Sequence, residues 1–360
     1  MNGARAAFAA LLLAASASLA PSLAPGLAPS AALAAGFKPE TIRTSRIDQF
    51  LIGRAQQTFG EFDFAGGLVL TSPNRQFGGL SGIDFRADGQ SFLAISDTGY
   101  WFSGALEREN GRLVGIRNAR WAPMLNAKGQ PFGTKNRSDA EGLRLTTIDG
   151  REAAYVSFEQ ANELRLYRPK GDSPGALATA RPEVVKFPRA GRKIVGNRGL
   201  ETVALAPVDG PLAGAPVLVA ERSLDPARNH RAWIVGGPLA GTFSVVRSGD
   251  YDVTDGAFLP NGDLLILERR VVVPYGVGMR LRRLPGDRIR PGAVVDGPVV
   301  LEADMLSQID NMEGLAVSTD EDGRARVTLV SDDNLSLLQR TLMLEFIWQG
   351  PADVTGSAVN

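Results

Sequence analysis

The sequence predicts an all-β chain folded as a single β-propeller of five, alternatively six, four-stranded blades. Three observations predict it. A short word built around a carboxylate or serine beside a glycine recurs at a period near 58 residues. Each copy is followed by two short apolar runs joined by a turn. No apolar run keeps the 3.6-residue period of a helix. A period of this length exceeds that of common helical solenoids and suits one propeller blade.

The repeated words are GLSGIDF from Gly79, DAEGLRL from Asp139, RGLETVAL from Arg198, VTDGAFL from Val253 and NMEGLAV from Asn311. Aligned on Ser81, Glu141, Glu201, Asp255 and Glu313, they are spaced by 60, 60, 54 and 58 residues. The second run of each unit ends in an acid: SFLAISD at Asp97, AAYVSFE at Glu159, PVLVAE at Glu221, DLLILE at Glu268 and VTLVSD at Asp332. Turns such as RADGQ, TIDGRE and PNGD separate the runs, as hairpins require. The second runs are apolar on both faces, which fits a strand sandwiched between neighbouring blades.

Third and fourth strands follow in units two to four: NELRLYRP and RPEVVKFP, HRAWIVGG and TFSVVRSG, GMRLRRLP and AVVDGPVVLEA. Unit five ends at Trp348 after three strands. The N-terminal DFAGGLVLTS is expected to supply its fourth strand, closing the ring and removing a free edge. Residues 41–59 have no assigned place; they pad the rim or belong to a degenerate sixth blade. A β-sandwich or two separate β domains compete with this arrangement, but no linker or change of composition divides residues 60–348.

The expected organisation is a signal peptide (1–35), an N-terminal segment (36–59), the propeller (60–350) and a C-terminal tail (351–360). Arg5 is the only charge before Lys38, an apolar stretch follows it, and Ala32-Leu33-Ala34 matches a cleavage pattern. The prolines at 21, 25 and 29 interrupt any continuous span. A periplasmic or secreted location follows, with no membrane attachment once the leader is removed.

Composition narrows the chemistry. Thirty-nine basic and 39 acidic residues give a net charge of zero, which argues against nucleic acid as a partner. There is no cysteine and one histidine, His230, read as an exposed loop residue. Thiol chemistry and two-histidine zinc motifs are excluded. GLSGID is no nucleophile elbow, because Ile83 stands where glycine is needed. DTG at Asp97 occurs once and EF-hand spacing is absent.

In a propeller, the start of strand one and the end of strand two meet at the same mouth. The expected metal ligands are therefore Glu141 with Glu159, Glu201 with Glu221, Asp255 with Glu268, and Glu313 with Asp332. Crowded carboxylates need a cation to offset their repulsion. One candidate is a hard ion such as Ca²⁺, held by oxygens. The other is the set of interleaved arginines, among them Arg137, Arg198, Arg222, Arg269 and Arg270. Acid–arginine ladders between blades are the structural alternative. The glycines that follow the acids leave backbone bare for close approach.

These words together resemble the bacterial phytase-like family, described as having esterase-like activity of phytase, over roughly residues 60–348. The resemblance implies an exported propeller that hydrolyses phosphate esters or other esters. In the hydrolase reading, Glu141, Glu201 and Glu313 are catalytic, Arg198, Arg222 and Arg269 bind a small anionic substrate, and Ca²⁺ is the cofactor. A non-catalytic binding propeller and a Ca²⁺-dependent sugar lactonase are the alternatives. A monomer is expected.

Overall fold

The computed structural model describes residues 36–132, 138–171, 175–188, 199–272 and 276–351. The expected signal peptide (1–35), the tail from 352, Arg137 and Arg198 lie outside them. Five antiparallel sheets form the blades. Their inner strands are Leu80–Phe85, Ala140–Ile148, Leu200–Leu205, Asp252–Phe258 and Met312–Thr319. Each inner strand touches the next, and the last touches the first, so the ring closes with five blades rather than six. Among the described residues, no helix is long and apolar enough to cross a membrane.

The closure is the one the sequence predicts. Phe62–Thr71 pairs antiparallel with Thr341–Trp348 as the fourth strand of blade five. The segment without an assigned place lies along this blade. Arg43–Ile47 pairs with Phe62–Thr71 as an added outer strand. Phe50 then folds under it, with its ring 5.1 Å from Phe346 and 4.9 Å from Phe59, both edge-on. This aromatic knot buries the seam where the two chain ends meet. In unit four, Val294–Val295 departs from expectation: it pairs parallel with Gly241–Val245 on blade three, leaving Val299–Ala303 as blade four's outer strand.

Apolar side chains from both faces of each second strand fill five cores between adjacent blades. Leu265 and Leu267 face blade five, whereas Leu264 and Ile266 face blade three. The alternation of a strand thus places one blade's residues in two cores.

Every inner strand carries a bulge at its start, where one residue has no partner of its own on strand two. Ser81, Glu201, Thr254 and Glu313 occupy it in blades one, three, four and five. In blade two, Glu141 and Gly142 together face Ser157. The repeat alignment therefore shifts by one residue in blade four. Thr254, not Asp255, stands where Glu141, Glu201 and Glu313 stand, and Asp255 takes the place of the glycine. On the second strand the same shift puts Arg269 where the other blades have Asp97, Glu159, Glu221 and Asp332.

The glycines beside the bulge serve close packing between inner strands. A Cβ on Gly142 would sit 2.3 Å from the Glu201 carbonyl oxygen, and one on Gly82 would sit 2.6 Å from that of Glu141. Both obstacles are backbone and cannot turn away. Gly142→Ala is expected to force blades two and three apart at the mouth, lowering Tm by several degrees in a calorimetric scan. An unchanged Tm would remove this account of the glycine.

Candidate metal centre

The bulge frees three glutamates from the pleat and turns them toward the axis. Carboxylate oxygens of Glu141, Glu201 and Glu313 lie within 4.8 Å of one another. Two further triads share members with this one: Asp139, Glu141 and Glu159, and Glu159, Glu201 and Glu221. In blades one and four the bulge residue is a hydroxyl that ties its blade to the next. Ser81 Oγ donates to the Ala140 carbonyl at 2.6 Å, and Thr254 Oγ1 to that of Met312 at 3.2 Å.

The cluster is buried, and its electrostatics follow. Burial, then the charges of Glu313, Asp139, Asp97 and Glu159, push the Glu141 carboxyl well above its ordinary range. Glu201 is raised well above its usual value by burial and by Glu141, Glu221, Glu159 and Glu313. Burial and Asp139 raise Glu159 to about 7, although the Gly199 N–H opposes this. Glu221 is raised by burial against the pull of Arg222 and Arg269.

Among the described residues, Arg269 is a cation built into this ring. Its Nη1 donates to Glu313 Oε1 and to Asn311 Oδ1, and its Nη2 lies 3.8 Å from Glu221. Asn311 Nδ2 donates to the same Glu313 oxygen at 2.8 Å, so both contacts fall on Oε1. Arg222 is half exposed at the rim, where it pairs with Asp252 at 2.6 Å and approaches Glu221 at 3.9 Å.

Of the eight acids expected to gather, Glu141, Glu159, Glu201, Glu221 and Glu313 form the three triads. Asp332 closes strand two of blade five and adds to the field on Arg269, while its Oδ1 accepts the Asn334 N–H at 2.6 Å. Asp255 and Glu268 do not meet each other. The blade-four bulge puts them on opposite faces of the sheet. Glu268 is fully enclosed and held by Arg280 at 2.6 Å and Arg282 at 2.8 Å. Asp255 faces the channel, where it accepts the Leu315 N–H at 2.8 Å and lies 3.3 Å from Arg144.

Two site features were not singled out in the sequence. Asp139 opens the quoted DAEGLRL, two residues before Glu141, in a left-handed turn with φ of 30°. Arg144 crosses the channel below the glutamates. It donates to the carbonyls of Ile83 at 3.1 Å and Leu315 at 2.8 Å and to that of Gly256, joining inner strands of blades one, five and four. His230 is a correction: it is buried, not exposed. Its Nδ1 lies 3.2 Å from the Ala220 carbonyl and carries the proton, since a carbonyl only accepts.

The donor set is all oxygen, anionic and crowded, which is the chemistry hard divalent cations select. No curated protein sequence matches this chain. Solved structures that resemble it include one carrying a provisional gluconolactonase assignment, at 12% identity and a TM-score of 0.39, over 85% of this chain and 98% of that one. Another is a bifunctional GH43-CE protein of Bacteroides eggerthii, at 12% identity and a TM-score of 0.39, over 72% of this chain and 32% of that one. A family model matches residues 75–335, and its description reads "Phytase-like: Esterase-like activity of phytase". This match spans most of the propeller, including every glutamate of the ring, and the chain belongs to the phytase-like family.

Proposed function

We propose that this chain is an exported, Ca²⁺-dependent hydrolase of phosphate esters or other esters, acting at the carboxylate ring. The observation that carries the reading is the interlocking of three carboxylate triads, with Arg269 against Glu313 and near Glu221. Each pair of triads shares one glutamate, so the ring offers adjoining places for more than one ion. Glu141, Glu201 and Glu313 would hold one, with Glu159, Glu221 and Asp139 completing the neighbouring positions. Such an ion supplies Lewis-acid polarisation of the substrate's phosphoryl or carbonyl oxygen and makes water more acidic.

The chain's own groups do the rest. Arg269 is anchored through one Nη to Glu313 and Asn311, which fixes the plane of its guanidinium beside the ring. That geometry suits gripping an oxyanion of the substrate. Arg222, half exposed at the rim, would meet an anionic group first, and Arg198 is expected from sequence to share that role. A carboxylate of the ring not engaged with the ion takes the proton from water. Glu159, raised to about 7, suits that role when only the Glu141, Glu201 and Glu313 position is filled.

The test is turnover. Purified protein with Ca²⁺ is expected to cleave at least one of nitrophenyl phosphate, nitrophenyl esters, phytate or a δ-lactone, and to lose activity in chelator. A lactone-only profile assigns the lactonase reading. No turnover on any of them, with saturable ligand binding retained, assigns the binding-propeller reading. Arg269→Met is expected to lower kcat/KM about 100-fold, the scale of losing one donor to developing charge, with Arg269→Lys recovering part of it. Wild-type rates in Arg269→Met would remove the arginine from the mechanism.

A further inference from the structure

The carboxylate ring is bordered by a loop whose exposure folding does not explain. From Asp332 to Arg340 the chain reads DDNLSLLQR. Leu337 and Leu338 stand open to solvent at 104% and 95% of their reference areas, and Leu335 at 52%. Leucines kept in water forgo the burial that drives folding. The backbone adds a second cost. Asn334 and Leu335 both have φ of 49°, a left-handed conformation that asparagine tolerates and leucine rarely adopts. Grouped exposed apolar side chains on a strained loop mark a place where something binds.

The loop is held rigidly in this form. Asp333 Oδ1 accepts the N–H groups of Gly79 at 2.9 Å and Leu335 at 3.1 Å, while its Oδ2 accepts the Thr341 hydroxyl at 2.8 Å. Asn334 donates to Gln339 at 3.2 Å, and the Arg340 N–H donates to Asp310 at 3.0 Å. A polar frame thus fixes the base while the leucines face outward.

That frame is continuous with the ring. Asp332 adds to the field on Arg269, which pairs with the ring's Glu313, and accepts the Asn334 N–H. Gly79, bonded to Asp333, lies so near Asp97, whose charge acts on Glu141, that a Cβ there would be 2.5 Å from Asp97 Oδ1. Leu335 follows Asp332 by three positions, which places their Cα atoms within about 11 Å. A substrate bound at the ring with an alkyl tail can reach the loop. Residues 334–339 carry no charge, so the loop offers an anionic group nothing to pair with.

We propose, resting on the hydrolase reading above, that the substrate is amphiphilic. Its scissile ester lies at the carboxylate ring, and an alkyl or aryl group lies over Leu335, Leu337 and Leu338. The leucine loop is then the specificity element, selecting esters with an apolar arm over compact polyanions.

The experiment compares wild type with L337S/L338S, whose exposed positions leave folding intact, as matched thermal melts would verify. A nitrophenyl ester series from acetate to octanoate is measured in Ca²⁺. Wild-type KM is expected to fall about two- to fourfold per added methylene, and this trend is expected to flatten in the variant. Turnover without a chain-length trend, or a trend retained in the variant, overturns the proposal. If neither these esters nor nitrophenyl phosphate, phytate or a δ-lactone is cleaved, the hydrolase reading fails by itself, and calorimetric titration with hexylphosphonate against methylphosphonate decides the loop's role. A hexyl preference lost in the variant supports the apolar site; no preference overturns it. Light scattering that shows a dimer dissolved by the two substitutions also overturns it, assigning the leucines to a second copy.

Discussion

Ca²⁺ is expected to raise the Tm of wild-type protein, and Glu201→Gln is expected to abolish that rise. Glu201, like Glu141 and Glu159, belongs to two of the three triads, and it is buried, so its loss damages two ion positions at once. At 100 times its Kd, an ion bound only by the folded state adds about 2.7 kcal/mol. Without the ion, the substitution acts in the opposite direction: it removes one of several like charges, and the variant should melt above wild type at pH 8.

The pH dependence has the same origin. Glu159 titrates at about 7 in the fold against a reference of 4.5. The folded state therefore keeps a proton that the unfolded chain has released. This stability is complete below pH 4.5 and is lost as the pH rises through about 7. Glu141, Glu201 and Glu221 are shifted in the same direction. Calcium-free protein should therefore lose Tm across that window, and saturating Ca²⁺ should restore it, increasingly toward pH 8. A Tm indifferent to Ca²⁺ between pH 5 and 8 would dismiss the metal centre.

Arg144→Met is expected to be the most destabilising single substitution near the axis. It strands Asp255 in a closed site and strips hydrogen bonds from the carbonyls of Ile83, Gly256 and Leu315. Burial already raises Asp255 to about 7 while Arg144 opposes it. Removing one partner of a buried pair costs about 3–5 kcal/mol. At ~2–4 °C per kcal/mol for a domain of this class, the loss is roughly 6–20 °C. Adding Asp255→Asn should return part of it, because the stranded charge is then gone. If Arg144→Met melts with wild type, Arg144 does not hold the inner strands together.

Much of the architecture was legible because a blade writes its geometry locally. Each unit needs a turn between two short apolar runs, and the duplicated words mark where each blade begins. The closure was legible because unit five lacks a strand and DFAGGLVLTS lies ahead of unit one. The convergence of Glu141, Glu201 and Glu313 follows from their equivalent places at the start of each inner strand.

What the sequence left open depends on register and on contacts between blades. Asp255 aligned with the glutamates by word similarity, yet the bulge falls on Thr254. A shift of one residue moves a strand's side chains to the other face, and it separated Asp255 from Glu268 and brought Arg269 into the ring. Glu268 found Arg280 and Arg282 on the neighbouring strand, partners no repeat pattern announces. Arg144 bonds across the axis to residues more than 100 positions away, and His230 is enclosed by packing that its polar neighbours in sequence conceal. The sequence by itself determined a propeller ring of five or six blades and a mouth rich in carboxylates, since both follow from periodicity and local turn chemistry. Only the tertiary structure decided which acids share a site and which are paired off, because that choice is made by bulge register and by side chains reaching between blades.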